Sequence, residues 1–180
     1  MMHSADTRVR RTRQRLLAAF SGLLLAQPYD EITVQLVASR AGVARSSLYE
    51  HFRGKRGLLA TSLAGPLTVL ADTLGEADNT EALIALLRHF WDNRALARSL
   101  FSGAMRAHAV AVLVRLIEER LRCERATLRL PRGLAAIQLA EALFAPTAAW
   151  LSCACPCGVP QLARGLRHTA RSLRGALRSS

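Results

Sequence analysis

Residues 33–52, TVQLVASRAGVARSSLYEHF, set a glycine between two short apolar stripes, and this stretch limits the possible folds more than any other. Val34, Val37, Ala38 and Ala41 recur at i, i+3, i+4 and i+7, which gives a short helix one buried face. Gly42 comes next. Glycine enters the left-handed region without a Cβ penalty, so the chain can turn sharply there, with Val43 anchoring the corner. Leu48 and Phe52, four apart, mark the inner side of a second short helix. Arg45, Ser46, Ser47, Tyr49 and His51 are left on or near its outer side.

The same periodicity runs through the rest of the chain. Apolar residues recur three and four apart, Ala, Leu and Arg are abundant, and β-branched runs are scarce. The pattern predicts an all-α fold with helices near 8–26, 34–39, 45–52, 55–74, 80–92, 95–103, 105–127, 132–152 and 161–177. Pro28 stops the first helix, and Pro66 is expected to kink or divide the fourth. The string GEADNT reads as a plain loop. The expected organisation is a three-helix helix-turn-helix domain over residues 10–70, followed by a helical bundle over 71–180, with a shared helix at the junction.

Charge indicates the class of partner. The chain carries 25 Lys and Arg against 13 Asp and Glu, a formal charge of +12, which favours a polyanion. Residues 1–60 hold 10 basic and 4 acidic groups, including a basic arm of Arg8, Arg10, Arg11, Arg13 and Arg15. A basic arm before a helical corner with hydrogen-bonding groups outside suits double-stranded DNA. Arg can reach guanine edges in the major groove, and Ser, Tyr and His can hold phosphates.

Two other readings of the apolar segments fail. RVRRTRQR followed by LLAAFSGLLLA imitates a secretory signal, but Val9, Leu16, Phe20, Leu23 and Leu24 fall at helical spacing and no small-x-small cleavage site follows. The uncharged stretch 142–163 has the length of a membrane span, yet Pro146, Pro156, Gly158 and Pro160 interrupt it. A cytoplasmic protein with no membrane partner is the expectation. Enzyme chemistry also finds no footing, because there is no Gly-rich phosphate loop, nucleophile elbow, histidine pair or acid–base pair. Nothing calls for a cofactor.

The string PYDEITVQLVASRAGVARSSLYEHFRGKRGLL closely resembles the DNA-binding domain of the TetR family of bacterial repressors. The resemblance rests on Tyr29, Thr33 and Val34, Ala41 to Val43, Leu48 to Phe52, and Lys55 with Leu58 and Leu59. It implies that Thr33, Tyr49, His51 and Lys55 contact phosphates, that Arg45, Ser46 and Ser47 face base edges, and that the basic arm tracks the duplex. Three positions depart from the family pattern. Pro28 stands where Gly is usual, Ala44 replaces a hydroxyl N-cap, and Glu50 puts a negative charge on the recognition helix.

The family layout further implies a dimer through the last two helices and a pocket for a small-molecule inducer. The expected seam combines Leu162, Leu166, Leu173 and Leu177 with Leu134, Ile137, Leu139, Leu143 and Trp150. On the last helix Arg164, Arg167, Arg171, Arg174 and Arg178 lie opposite the leucines and are expected to be solvated. A dimer spaces its recognition helices about 34–36 Å apart, one turn of DNA, and so predicts a palindromic operator. Ligand-binding candidates are His89, Phe90, Trp91, Phe101, Met105, His108 and Trp150. Cys153, Cys155 and Cys157 in SCACPCGVP are candidates for a soft metal or a redox switch. Control by thiol redox state, soft metal or a protein partner is thus the alternative to release by an organic ligand.

Overall fold

A computed structural model describes the backbone of residues 2–103, 105–123 and 127–179, and side chains from residue 7 onward. Among the described residues there are nine α-helices and no strand, only an isolated bridge between Leu128 and Arg178. The chain divides into two compact units, Met1–Leu63 and Ala64–Ser180. The division falls inside one helix, a few residues before the boundary expected from sequence.

In the first unit α1 (Met2–Ala26) buries Leu16, Ala19, Phe20 and Leu23, the i, i+3, i+4, i+7 set its sequence provides. The helix begins before residue 8, so the basic arm lies within it. Pro28 follows α1 with φ −55, within the proline range, and opens a 3-10 turn over Tyr29–Glu31. Tyr29 is buried edge-on against Phe20, with ring centroids 6.5 Å apart. Next come α2 (Val34–Ala41), α3 (Arg45–His51) and α4 (Gly54–Ala71), which buries Leu58 and Leu59 in this unit. Pro66 lies within α4 without dividing it; a proline removes one backbone donor, and the helix continues to Ala71.

The second unit adds a 3-10 turn over Asp72–Leu74, then α5 (Thr80–Asp92), α6 (Arg94–Ser102), α7 (Arg106–Cys123), α8 (Arg132–Leu151) and α9 (Val159–Leu177). Its centre is aromatic. Phe101 packs 5.2 Å from Phe90 and 4.5 Å from Phe144, centroid to centroid. Helix α8 packs on α6, α7 and α9. By length and apolarity α8 could cross a membrane, but half of its apolar window is buried inside the protein.

Helix α9 corrects the expectation of a solvated arginine stripe. Arg174 is 9% exposed and donates from Nη1 to the carbonyl of Leu74 at 2.5 Å, with Glu76 at 3.2 Å. Arg171 pairs with Glu76 at 2.8 Å, and Arg167 engages Asp78 and Thr80. Three arginines one helical turn apart thus clasp the GEADNT segment, which is a bound strap instead of a plain loop. Only Arg164 of this series is simply exposed. The reason is geometric. The buried side of α9 runs through Leu162, Ala163, Leu166, Ala170, Arg174 and Leu177, so Arg174 falls inside it and its neighbours flank it.

The clasp makes stability depend on pH. Hydrogen bonding and charge from Arg171, with Arg174 adding, hold the Glu76 carboxyl below its usual range. Asp78 is lowered first by hydrogen bonds from Thr80 and then by Arg167. Because both are depressed in the folded chain, their contribution is complete above the unfolded values of about 4 and fades as the pH falls through the lowered ones. Urea unfolding at steps from about pH 7 to about pH 3 is expected to show the wild type losing more stability on acidification than Arg171→Ala. Arg174→Ala is expected to cost about 1–3 kcal/mol at neutral pH, because the buried Leu74 carbonyl loses its guanidinium donor.

Candidate nucleic-acid interface

Helix α2 is closed at both ends by its own sequence. Thr33 caps the start, its Oγ1 accepting the Leu36 N–H at 3.1 Å. Gly42 ends it at φ 62, ψ 43. The Gly42 N–H reaches the Ser39 carbonyl and the Val43 N–H reaches the Ala38 carbonyl, both at 3.0 Å. This crossed pair is a Schellman motif, and it requires a left-handed residue at Gly42. Arg15 of α1 completes the corner by donating from Nη2 to the Gly42 carbonyl at 3.1 Å. A Cβ on Gly42 would stand 2.8 Å from that nitrogen.

Helix α3 leaves this corner with Leu48 and Phe52 buried, while Arg45, Ser46, Tyr49 and Glu50 are exposed and Ser47 and His51 half-buried. Ala44 supplies no side-chain cap. Arg45 Nη2 lies 3.4 Å from the Tyr49 hydroxyl, and its guanidinium sits 5.7 Å from the Tyr49 ring centroid. Lys55 is already engaged, donating to the Tyr29 carbonyl at 2.9 Å with Nζ 4.2 Å from the Tyr29 ring centroid. It fastens the start of α4 to the 3-10 turn. Burial raises the pKa of the Tyr29 phenol, with the nearby Arg56 charge opposing and Asp30 reinforcing the shift.

Between α1 and this corner lies a cleft of about 1100 Å³, whose lining includes Arg8, Arg11, Thr12, Arg15, Ser47 and His51. Glu50 is part of the same lining and is the one carboxylate in it. Arg13 takes another direction, its guanidinium 4.8 Å from the Phe52 ring centroid. The sequence reading counted these arginines as one arm. The signal that separates them is helical spacing: Arg8, Arg11, Thr12 and Arg15 fall at i, i+3, i+4 and i+7.

Residues 16–61 match the family described as bacterial regulatory proteins, tetR family. Those residues carry the DNA-binding domain signature of the TetR family. It is 34% identical over 64 residues to the uncharacterized HTH-type transcriptional regulator TtgW of Pseudomonas putida, covering 36% of this chain and 48% of that one. It is 40% identical over 53 residues to the HTH-type transcriptional regulator SrpR of Pseudomonas putida, covering 29% of this chain and 25% of that one. The matched region thus spans half or less of these relatives. A TetR transcriptional regulator from Streptococcus agalactiae 2603V shares the fold at a TM-score of 0.61 and 23% identity, covering 94% of this chain and 99% of that chain.

In the second unit the ligand candidates separate by burial. Phe90, Phe101, Met105 and Trp150 are buried, His108 is half-buried, and His89 and Trp91 are exposed. The buried aromatics fill the core against one another. Of the seven, Trp91 lines an open groove of about 550 Å³ with Asp92, Arg94, Ala95 and Arg98.

The cysteines lie in the turn between α8 and α9, with Cys153 and Cys155 exposed and Cys157 half-buried, all three as free thiols. Among the described residues no group of three or more His, Cys, Asp or Glu is gathered to hold a metal. Single-residue spacing alone does not make the thiols converge. Cys153 serves the backbone, taking φ 61 in a second Schellman turn with its N–H on the Trp150 carbonyl and the Ala154 N–H on that of Ala149.

The seam expected from sequence is also corrected. Leu162, Leu166, Leu177, Leu139, Leu143 and Trp150 are buried within the unit itself, and Leu173 is half-buried. Only Leu134 and Ile137, 52% and 46% exposed, remain outside. Helix α8 is apolar nearly all round, so its composition could not mark which face turns outward.

Gly42→Ala is expected to destabilise the N-terminal unit by about 1–2 kcal/mol, from the left-handed backbone alone, and to push Arg15 off its carbonyl. Urea denaturation followed by circular dichroism checks the first effect. An alanine variant as stable as wild type would contradict the strained corner.

Proposed function

We propose that this protein is a repressor that binds a palindromic double-stranded DNA operator as a homodimer and is released by a small molecule. The observation that carries the reading is the outer face of α3. Arg45, Ser46, Tyr49 and Glu50 stand exposed on a helix whose inner side is locked by Leu48 and Phe52, next to a cleft lined by Arg8, Arg11 and Arg15. Arg45, Ser46 and Ser47 read base edges, while Thr33, Tyr49, His51 and Lys55 hold phosphates. The Thr33 oxygen accepts the capping bond, which leaves its hydroxyl proton for a phosphate. Such a regulator works in the cytoplasm, where its DNA is.

The dimer forms through the free faces of α8 and α9. On α8 this face carries Leu134, Ile137 and Ala145; on α9 it carries Gly165, Thr169, Ser172 and Ala176. The first supplies apolar area, and the second lets backbones approach, since a Cβ at Gly165 meets nothing within 4 Å. A ligand in the second unit favours an arrangement whose recognition helices no longer sit one DNA turn apart. The exposed thiols of Cys153 and Cys155 support a second control reading, in which their oxidation replaces the organic ligand.

Selection of bound DNA from a random pool is expected to yield a palindrome with half-sites about one helical turn apart. Arg45→Ala should lose about 1–3 kcal/mol of discrimination at one base pair per half-site. Lys55→Ala should weaken all sequences alike and flatten the salt dependence by about one unit of slope per chain. No enriched sequence would sink the operator reading. Ile137→Asp is expected to convert a dimer to a monomer in light scattering.

A further inference from the structure

Trp91, near the end of α5, is 38% exposed, a large apolar surface to leave in water. It is nonetheless fixed from behind. Its ring packs 4.8 Å from that of Trp150, centroid to centroid, at 38°. Trp150 is 3% exposed, and its Nε1 donates to the Cys157 carbonyl at 3.0 Å. The Arg94 guanidinium, at the start of α6, lies 4.9 Å from the Trp91 ring centroid. Arg98 follows one helical turn later and lines the same groove. Among the described residues neither Arg94 nor Arg98 makes an ion pair. Asp92 is the groove's one carboxylate, so the lining carries one net positive charge.

We propose that this α5–α6 groove binds a flat aromatic anion, an aryl carboxylate, which takes the place of the Arg94 guanidinium over the Trp91 ring and pairs with the displaced Arg94 and with Arg98. Its volume of about 550 Å³ falls within the range of small-ligand sites. An anchored indole offers stacking at little entropic cost, and the guanidinium fork matches a carboxylate. A bare inorganic anion would leave the indole unused. An aliphatic acid would use the arginines and forgo the stacking. The proposal names the ligand class for the release step and rests on the ligand-released reading for that consequence, though not for binding itself.

Calorimetric titration of the full chain with 2-naphthoate tests it, alongside cyclohexanecarboxylate and 2-naphthalenemethanol, which remove the aromatic ring and the charge in turn. Emission from Trp91 and Trp150, the chain's two tryptophans, gives a second readout. Saturable binding of 2-naphthoate, weakened about tenfold or more for either analogue and in Trp91→Leu and Arg98→Ala, is expected. Circular dichroism of the variants confirms that they fold. No saturable binding by wild type, equal binding of cyclohexanecarboxylate, or undiminished binding by folded Arg98→Ala would each overturn the site. Binding that leaves affinity for the selected DNA unchanged would uphold the groove and overturn its part in release. Naphthoate binding without any enriched DNA would uphold the groove and remove the operator reading alone.

Discussion

The left-handed backbone at Gly42 fixes the direction in which α3 leaves α2, and every outward residue of α3 inherits that direction. Two crossed backbone bonds hold the turn from within, and Arg15 holds it from α1 through the Gly42 carbonyl. A side chain at position 42 would collide with the group that secures it. The corner therefore ties the apolar part of α1 to the exposed face of α3. Burial of Leu48 and Phe52 selects which face turns outward, but only after the corner has set the axis.

The arginine excess resolves into three physical tasks that a net charge cannot distinguish. Arg8 and Arg11 line an open cleft where a polyanion can replace their hydration. Arg13 and Arg94 lie over aromatic rings, using the planar guanidinium face. Arg167, Arg171 and Arg174 bind the strap at 76–80 through its carboxylates. Arg174 is tolerated inside the apolar side of α9 because the Leu74 carbonyl and Glu76 satisfy it.

The helices were legible because each repeats its apolar residues with a 3.6-residue period and ends at Pro, Gly or a polar run. The helix-turn-helix was legible for a stronger reason: its corner needs a glycine, and its two stripes lie on either side of Gly42. The C-terminal faces were not. Helix α8 has alanine or leucine on nearly every side, so Leu134 and Ile137 look no different in sequence from Leu139 and Leu143, yet they face opposite ways. The strap was missed because Glu76 and Asp78 find their arginines about 90 positions away, beyond any local pattern. Lys55 was readable as a cation just beyond the helix-turn-helix, but its bond to the Tyr29 carbonyl depends on how a 3-10 turn is placed.

Cys153 shows the same backbone demand as Gly42 met by a different residue. Both close a helix with a Schellman turn, yet at Cys153 the chain accepts a Cβ in the left-handed region, a cost of about 1–2 kcal/mol. The turn persists because its surroundings over-determine it: two crossed backbone bonds fix its start, and the Trp150 indole N–H fixes its far side through the Cys157 carbonyl. That makes Trp150 a pivot with two contacts. One side holds the strained cysteine turn, and the other backs Trp91 at the mouth of the groove. Trp150 therefore joins Trp91 to the turn that leads into α9 through two direct contacts.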